Sequence, residues 1–362
     1  MSVNVAVVGL GKMGLSHVSI INALADFNLI GVCDSSRLVT SVLSGVTGLK
    51  SFTNYDQLLE LEGLQAILIA TPTIAHEAMV RKALERGLHV FAEKPLTLDA
   101  AASRELATLA TEKGLVTQVG YHNRFIATFG EAARLLGTGA LGKVNHVLAE
   151  SYGPVVLRAT KGTWRSQAGQ GGGCLHDYAA HTINLLNWFF GPAAHCIGAS
   201  LRSGYSAEVE DQISALLEFA DGTIGQLSVN WSDPSVRKMT TCVSVWGEGG
   251  KIQVDRQELR LFLSGNRPIP EGYSEGWNLR YITELTPPVS FYLRGEEYSA
   301  QLESFGRAIL ANDTNNANRF ATAAETDEAI DLILARSGEG RSAARDVRAV
   351  KQKPFLDRVL GR

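Results

Sequence analysis

The fold is decided at the start of the chain, where residues 3–14 read VNVAVVGLGKMG. The first six of these residues are mostly apolar and β-branched, which is typical of a buried parallel strand. The next six residues, GLGKMG, match the pattern G-x-G-x-x-G, and a helical stretch to about Ala25 follows them. A strand, a glycine turn and a helix in this order predict the opening of a β-α-β unit.

The alternation of strand and helix continues through the first third of the chain. Further strands are expected at 29–33, 66–70, 88–91 and 116–119. Further helices are expected at 37–46, 75–86 and 99–113. Strands and helices in strict turn predict a parallel sheet with helices on both faces.

The pattern changes after about Gly120, where strands follow one another with hairpin turns between them. Strands are expected at 143–151, 195–201, 212–219, 223–231, 240–246, 251–254 and 259–263. Helices are expected at 126–136, from the glycine-rich loop 168–173 to about 190, at 298–311 and at 320–335. The stretch 264–294 is rich in Pro and Gly and gives no clear placement.

These patterns predict an α/β protein with two domains. We expect an N-terminal Rossmann domain with a doubly wound parallel sheet over residues 1–122. We expect an α+β domain with an open, mostly antiparallel sheet over residues 123–337, followed by a basic segment at 338–362. From Arg336 to Arg362 there are eight Lys or Arg and three Asp or Glu. This charge favours a solvated surface or a tail that packs on a neighbouring subunit, and a nucleic-acid arm is the alternative.

Composition narrows the function classes. Of 362 residues, 45% are hydrophobic and 20% are charged, which describes a globular chain, and a net charge of −3 gives no overall attraction for nucleic acid or membrane. No signal peptide and no spanning apolar run are evident, and the four cysteines form no metal-site pattern. We expect a cytoplasmic protein with no metal, no nucleic-acid partner and no membrane partner.

The glycine turn predicts a dinucleotide site. Gly9 permits the tight turn, Gly11 lets the backbone approach a pyrophosphate, and Gly14 lets helix and strand pack closely. Lys12 and Met13 complete the turn, whose exposed N–H groups face the phosphate charge. Asp34 ends the second strand, where a carboxylate can accept hydrogen bonds from both ribose hydroxyls and disfavours a 2′-phosphate. The cofactor is therefore expected to be NAD, with NADP as the alternative if Arg37 binds that phosphate.

Two further motifs carry the chemistry. Glu93-Lys94-Pro95 follows a strand at the sheet edge where Rossmann ligands bind, so Lys94 should project into the cleft. Asp177 and His181 are four residues apart, so on a helix they share one face and can act on one hydroxyl. The alternatives are a surface lysine beside a proline, a helix-terminal Asp with an unrelated His, and a metal pair that lacks a third ligand.

Taken together, the motifs resemble those of the Gfo/Idh/MocA oxidoreductases. They occur in that family's order, as GLGKMG at 9–14, Ala70-Thr71-Pro72 followed by His76, Glu93-Lys94-Pro95, and Gly172-Gly173…Asp177…His181. The resemblance spans Val3 to about Ala335 and implies a Rossmann domain with a second domain whose open sheet forms subunit contacts. A homodimer or homotetramer is the expected assembly.

The resemblance also implies roles for individual residues. Lys94, Asp177 and His181 would be the catalytic set, with His181 taking the hydroxyl proton and Lys94 stabilising the alkoxide. The dinucleotide cleft would be lined by Thr71, Pro72, His76, Glu93, Lys94, Tyr121 and Asn123, with Tyr121 on the substrate side. Members often carry an acidic residue where this chain has Asn184, and an apolar one where it has His176.

The expected substrate is sugar-like. Substrate contacts are expected from Tyr152, Trp164, Arg165 and His176, beside Tyr121, Asp177 and His181; core packing or a solvated surface is the alternative for several of these side chains. The expected activity is hydride transfer between nicotinamide C4 and a secondary alcohol or ketone of a sugar, inositol or sugar nucleotide. An NAD-dependent glycosidase and a non-catalytic nucleotide-sensing regulator are the alternatives.

Overall fold

The computed structural model describes residues 2–158 and 163–341 of the chain. Most of the basic segment predicted at 338–362 therefore lies outside the described residues. Among the described residues, no helix is both long enough and apolar enough to cross a bilayer. All four cysteines are free thiols.

The first sheet is the predicted parallel one. Its six strands are β1 Val3–Val8, β2 Phe27–Cys33, β3 Lys50–Phe52, β4 Ala66–Ile69, β5 His89–Ala92 and β6 Thr117–Val119. All pairings are parallel, in the order β3-β2-β1-β4-β5-β6. The order reverses beside β1, which places the ligand crevice of an open α/β sheet at the carboxyl ends of β1 and β4.

Five helices accompany this sheet. They are α1 Lys12–Ala23, α2 Arg37–Thr47, α3 Tyr55–Leu59, α4 His76–Glu85 and α5 Ala100–Glu112. Ser36, Asn54 and Asp99 begin α2, α3 and α5 with side chains that accept backbone N–H bonds of the first turn. The sequence missed β3 and α3, because a three-residue strand and a five-residue helix are too short to show a period.

The second sheet has eight strands. They are β7 Val144–Tyr152, β8 Ala193–Arg202, β9 Gln212–Phe219, β10 Ile224–Asn230, β11 Cys242–Gly247, β12 Gly250–Asp255, β13 Glu258–Leu263 and β14 Gly276–Tyr281. Their order is β14-β13-β12-β11-β7-β10-β9-β8, and only β7 and β10 pair in parallel. The predicted combination of a Rossmann sheet and a mostly antiparallel open sheet is thus confirmed.

Helices cover one face of the second sheet. The helices outside the first sheet's own set are α6 Ala127–Gly137, α7 Ala180–Phe190, α8 Ile282–Leu285, α9 Glu296–Ala311 and α10 Phe320–Arg341. The inward residues of β7, β9 and β10 are buried, whereas alternate residues are exposed or half-buried. The other face of the sheet is therefore open, as the period of a strand requires.

Helix α9 follows β14 in the chain but packs on the first sheet. Leu302, Phe305 and Ala308 belong to the same buried cluster as β1 and α1. The Phe305 ring lies 5.9 Å from that of Phe91 on β5. The range 123–337, which we predict as the second domain, thus contributes to the core of the first.

Candidate active site

The three glycines of the first turn have different surroundings. Gly9 has a φ of 85°, and a Cβ there would lie 2.7 Å from the Ala70 carbonyl oxygen. A Cβ on Gly14 would lie 1.7 Å from the Gly9 carbonyl oxygen, whereas one on Gly11 would meet nothing within 4 Å. Gly9 and Gly14 thus serve packing. The space above Gly11, at the N-terminus of α1, fits the close approach of a pyrophosphate.

A cleft of about 770 Å³ runs from this turn to the second domain. The predicted residues that line it are Gly9, Gly11, Lys12, Met13, Asp34, Thr71, Pro72, Glu93, Lys94, Trp164, Arg165 and Asp177. Residues that the sequence did not single out also line it, among them Thr53, Tyr55 and Arg294. The cleft therefore joins the glycine turn to the Lys94 and Asp177 motifs within one space large enough for a small-molecule ligand.

Asp34 lies at the glycine-turn end of the cleft. One carboxylate oxygen accepts the Leu10 N–H at 2.7 Å and the other accepts the Ser36 N–H at 2.8 Å. The carboxylate thereby fastens the glycine turn to the start of α2 and presents negative charge to the cleft. Arg37, the first residue of α2, is absent from the cleft lining. The surroundings of Asp34 are therefore suited to ribose hydroxyls rather than to a 2′-phosphate.

His76 lies behind the cleft and does not line it. Its Nε2 is 3.0 Å from the Thr71 carbonyl oxygen, and its Nδ1 is 3.1 Å from that of Pro95. The side chain is fully buried, and burial lowers the pKa of His76. The imidazole therefore joins the Thr71-Pro72 turn to the Lys94-Pro95 turn, whose peptide bond is cis.

The Glu93 carboxylate is held by a hydrogen bond from His17, a residue that the sequence did not indicate as part of the site. Nε2 of His17, on α1, donates to a Glu93 carboxylate oxygen at 2.6 Å, and the His17 side chain is fully buried. The other Glu93 oxygen accepts the Lys94 backbone N–H at 3.3 Å. Burial raises the pKa of Glu93, but the His17 bond and nearby positive charges outweigh it, so the pKa lies below its ordinary value.

Lys94 meets Asp177 at the catalytic end of the cleft, by which we mean the part lined by Glu93, Lys94, Arg165, Asp177 and Arg294. The Lys94 Nζ donates to a carboxylate oxygen of Asp177 at 2.7 Å and to its carbonyl oxygen at 2.8 Å. Arg165 Nε donates to the other carboxylate oxygen at 3.1 Å. Burial raises the pKa of Asp177, but the charges of Lys94 and Arg165 bring it below its ordinary value. Asp177 is therefore an ionised acceptor between two cations.

His181 lies on α7, one turn past Asp177. Asp177 itself belongs to a π-helical turn, Leu175–Ala179, that precedes α7 where a continuous helix was expected. The His181 ring is 4.6 Å from that of His122 and 5.8 Å from that of Tyr121. Burial lowers the pKa of His181 well below its ordinary value, and the charge of Lys94 lowers it further. The imidazole is therefore neutral at pH 7 and can accept a proton.

Three other predicted positions, Tyr121, Asn123 and His176, are absent from the cleft lining. Tyr121 is fully buried and its hydroxyl has no partner, while Asn123 has an unpartnered Nδ2. His176 is half-buried, and burial lowers its pKa to about 4. Asn184 is buried, with its side-chain oxygen accepting from Arg124 Nε at 2.8 Å. Unsatisfied buried donors such as that of Asn123 are candidates for ligand contact.

Tyr152 is placed apart from the cleft. It lies on the open face of the second sheet, where its hydroxyl donates to Glu150 at 2.9 Å and lies 3.0 Å from Ser228 Oγ. The preceding residue in the strand, Ser151, points to the covered face of the sheet and is buried. Because side chains alternate between the faces of a strand, the Tyr152 ring is directed away from Asp177. It instead lines a separate polar hollow of about 300 Å³ with Gln212, Ser214 and Asp233.

Arg294 is the lining residue for which the sequence offered least signal. It precedes α9, in the Pro- and Gly-rich stretch that we could not place, and has a φ of 68°. Its guanidinium lies 5.4 Å from the ring centre of Tyr298, which stacks on His122 at 4.9 Å. Only the packing of α9 on the first sheet brings Arg294 to the cleft.

Within residues 2–158 and 163–341, no three His, Cys, Asp or Glu side chains could hold a metal ion.

Comparison with known families matches both domains. Residues 3–121 match the model of an oxidoreductase family with an NAD-binding Rossmann fold. Residues 129–253 match the model of the GFO/IDH/MocA C-terminal domain. The first match covers the glycine turn and Lys94, and the second covers Asp177 and His181. The predictions of this family and of NAD as the cofactor are therefore confirmed.

Individual relatives are enzymes that act on sugars and inositols. Over 92% of its length, the chain is 26% identical to a dTDP-3,4-didehydro-2,6-dideoxy-alpha-D-glucose 3-reductase of Streptomyces antibioticus, covering 89% of that enzyme. Over 64% of its length, it is 27% identical to an NAD(+) scyllo-inositol 2-dehydrogenase of Bacillus subtilis, covering 68% of it.

Solved structures show the same fold. GenD2 from gentamicin A biosynthesis, in complex with NAD, superposes with a TM-score of 0.76 at 28% identity over 94% of this chain and 95% of GenD2. Levoglucosan dehydrogenase superposes with a TM-score of 0.82 at 19% identity over 94% of this chain and 98% of that one. With both domains matched in sequence and in architecture, the chain belongs to the Gfo/Idh/MocA family of NAD-binding oxidoreductases.

Proposed function

We propose that this oxidoreductase transfers a hydride between nicotinamide C4 and a secondary alcohol or ketone of a sugar, an inositol or a sugar nucleotide. The observation that carries the proposal is the contact of Lys94 with Asp177 at 2.7 Å, in the cleft that starts at the glycine turn. The substrates in the names of the two enzyme relatives above, an inositol and a dTDP-sugar, support the same chemistry.

The residues divide the work of positioning and proton transfer. NAD, when bound along the glycine turn, supplies the hydride acceptor. Asp177 accepts a hydrogen bond from a substrate hydroxyl and orients it. Lys94 holds its ammonium against the oxygen on which negative charge develops, where a fixed cation in a partly dry site stabilises the transition state. These groups hold the reacting carbon in place, which removes much of the entropic barrier.

His181 is the proposed proton acceptor. It is 4% exposed, so few water molecules compete for its ring nitrogens. Its lowered pKa keeps it neutral over the physiological range, and an imidazole can take a hydroxyl proton only in its neutral form. Lys94 lies close enough for its charge to act on His181. A proton moving from the substrate to the imidazole thus stays within the catalytic set.

The proposal is tested with a panel of polyols, aldoses, inositols and nucleotide sugars. Absorbance at about 340 nm follows formation of the reduced cofactor, with NAD and NADP in separate runs. We expect net formation of NADH from at least one member, and a higher kcat/KM with NAD than with NADP. A hydrolysed sugar without net NADH would instead indicate a glycosidase, and cofactor binding without any turnover would indicate a nucleotide sensor.

We also propose that the chain assembles as a homodimer or homotetramer through the open face of the second sheet. Apolar side chains are exposed on that face, namely Leu216, Ile224, Phe262, Trp277, Leu279 and Tyr281. An open sheet face that exposes several large apolar side chains is a candidate subunit interface. Light scattering on the eluting protein should give a multiple of 39.0 kDa. A monomer at micromolar concentration would contradict the assembly without touching the catalytic proposal.

A further inference from the structure

We propose that the substrate carries an oxyanionic group, a carboxylate or a phosphate, which Arg165 and Arg294 bind at the catalytic end of the cleft. This inference rests on the proposed function and narrows its substrate class from sugars and polyols to those that bear a negative charge. A neutral sugar would leave Arg294 without a charged partner among the described residues, and Arg165 with Asp177 as its charged partner.

Cations outnumber carboxylates at the catalytic end. Lys94, Arg165 and Arg294 line it, and among the described residues the acidic side chains that line it are Glu93 and Asp177. Glu93 already accepts a 2.6 Å bond from the buried His17 beneath it, and Asp177 is shared between Lys94 and Arg165. The remaining positive charge favours an anion in the space between these groups.

Arg165 is held in place by two contacts, and some of its hydrogen-bond donors remain available for a ligand. Its Nε donates to Asp177, and its guanidinium lies 4.6 Å from the ring centre of Trp164. These two contacts fix the plane of the group. A guanidinium has five N–H donors, and among the described residues the two Nη groups of Arg165 make no hydrogen bond. With 43% of its side chain exposed, Arg165 presents a fork that matches a carboxylate or phosphate.

Arg294 is the second cation, and it has no ion pair within the described part of the chain. It lies over Tyr298, which stacks on His122, and the His122 ring is 4.6 Å from that of His181. Arg294 is therefore three contacts away from the proposed base. The one imidazole on this path, that of His122, is neutral, since burial lowers its pKa to about 3.

The test uses matched pairs of ligands that differ in one charge. The full-length protein, saturated with NADH, is titrated with D-glucuronate and D-glucose, and with D-glucose 6-phosphate as a third arm that separates phosphate from carboxylate. Quenching of NADH fluorescence reports binding. The same compounds are then assayed for turnover with NAD. We expect a charged ligand to bind about tenfold or more tightly than glucose, with a preference that falls as salt is added.

Variants test whether the guanidinium group of Arg294 causes the tighter binding of the charged ligand. Arg294→Gln should remove most of the preference for the charged ligand, whereas Arg294→Lys should retain part of it because the charge remains. Arg307→Gln is the matched control, since Arg307 is exposed on α9, which Arg294 precedes, and is absent from the cleft lining. NADH affinity is measured for every variant, so that a contact with the cofactor is seen separately.

Each other outcome overturns a stated part of the proposal. Equal binding of charged and neutral ligands, or an unchanged preference in Arg294→Gln, contradicts the inference, as does failure of both charged ligands to bind. A loss confined to NADH affinity assigns Arg294 to the cofactor and contradicts it too. Turnover of neutral sugars without any preference leaves the proposed function standing. NADH binding with no turnover of any pair, nor of the wider sugar panel, defeats the proposed function itself.

Discussion

The two ends of the cleft are built in different ways. The glycine-turn end is formed by consecutive residues, 9–14, and presents mainly backbone to a ligand. The catalytic end is formed by side chains from positions 94, 165, 177 and 294, which four separate segments bring together. A site made of backbone depends on where a Cβ can fit, whereas a site made of side chains depends on charge and pKa. Changes at the two ends should therefore affect different measurements.

The largest effect should come from Lys94→Met at the catalytic end. Removing the ammonium takes away the charge opposite the developing alkoxide and leaves Asp177 with Arg165 alone. We expect kcat to fall about 10²- to 10⁴-fold. NADH affinity should change by no more than about twofold, because the phosphate site lies at the other end. The counterpart is Lys12→Met, which should raise KM for NAD more than it lowers kcat. Full turnover in Lys94→Met would refute the catalytic assignment.

At the glycine-turn end, Gly14→Ala should act through packing. Its Cβ would lie 1.7 Å from the Gly9 carbonyl oxygen, so helix and strand must separate. Overpacking of this kind costs about 1–3 kcal/mol of stability, which thermal unfolding would measure. Gly11→Ala is the matched control: nothing lies within 4 Å, so it should fold normally and lose only NADH affinity. Similar thermal stability of the two variants would contradict this division between the glycines.

His17→Phe tests a contact that links the cofactor helix to the catalytic end. His17 stands on the cofactor helix α1, and its loss would leave the buried Glu93 carboxylate without its 2.6 Å donor. The pKa of Glu93 should rise, because the His17 bond lowers it now. The acid limb of the kcat/KM profile should then move to higher pH, with about a tenfold loss near neutrality. His17→Gln, which retains a donor, should lie closer to the parent; an unmoved profile in both variants would make His17 purely structural.

The smallest effect concerns the scaffold behind the catalytic end. Burial raises the pKa of Asp327, on α10, from 3.8 to about 8, and Ser103 Oγ of α5 lies 2.6 Å from its carboxyl. Between pH 4 and 8 the unfolded chain has released this proton while the folded chain keeps it, so stability falls as pH rises through that window and then levels. Asp327→Asn should lessen that fall, seen as a smaller difference between denaturant midpoints at pH 5 and pH 8. A parallel change in both proteins would contradict the assignment.

Local sequence patterns predicted much of the fold. The alternation of strand and helix, and then the succession of hairpin strands, predicted the parallel sheet and the mostly antiparallel one correctly. Short or irregularly placed elements escaped for physical reasons. The strand Lys50–Phe52 and the helix Tyr55–Leu59 are too short for a period, and the strand Gly276–Tyr281 follows a Pro- and Gly-rich stretch. The helix α9 was predicted, but its packing on the first sheet was not, because those contacts join residues far apart in the chain.

The site residues show the same difference between local motifs and contacts that join distant parts of the chain. The sequence indicated Lys94, Asp177 and His181 because their motifs are local and chemically specific, and the assignment of catalytic roles to them stays a prediction. It did not show Arg294, because no motif surrounds it, nor His17, because one histidine on a helix carries no signal of its own. It also placed Tyr152 among the substrate contacts, where only the register of β7 shows which face the ring occupies.

By itself, the sequence determined the family, the dinucleotide turn and the order of the two sheets, since each depends on residues that are neighbours in the chain. Tertiary structure alone decided which side chains share the catalytic end. Lys94 meets Asp177, 83 positions later in the chain, and Arg294 comes from the segment that follows the last strand of the second sheet. The physical reason is that strand period and glycine geometry act over a few residues. Charge contacts act over a few ångströms, whatever the separation along the chain.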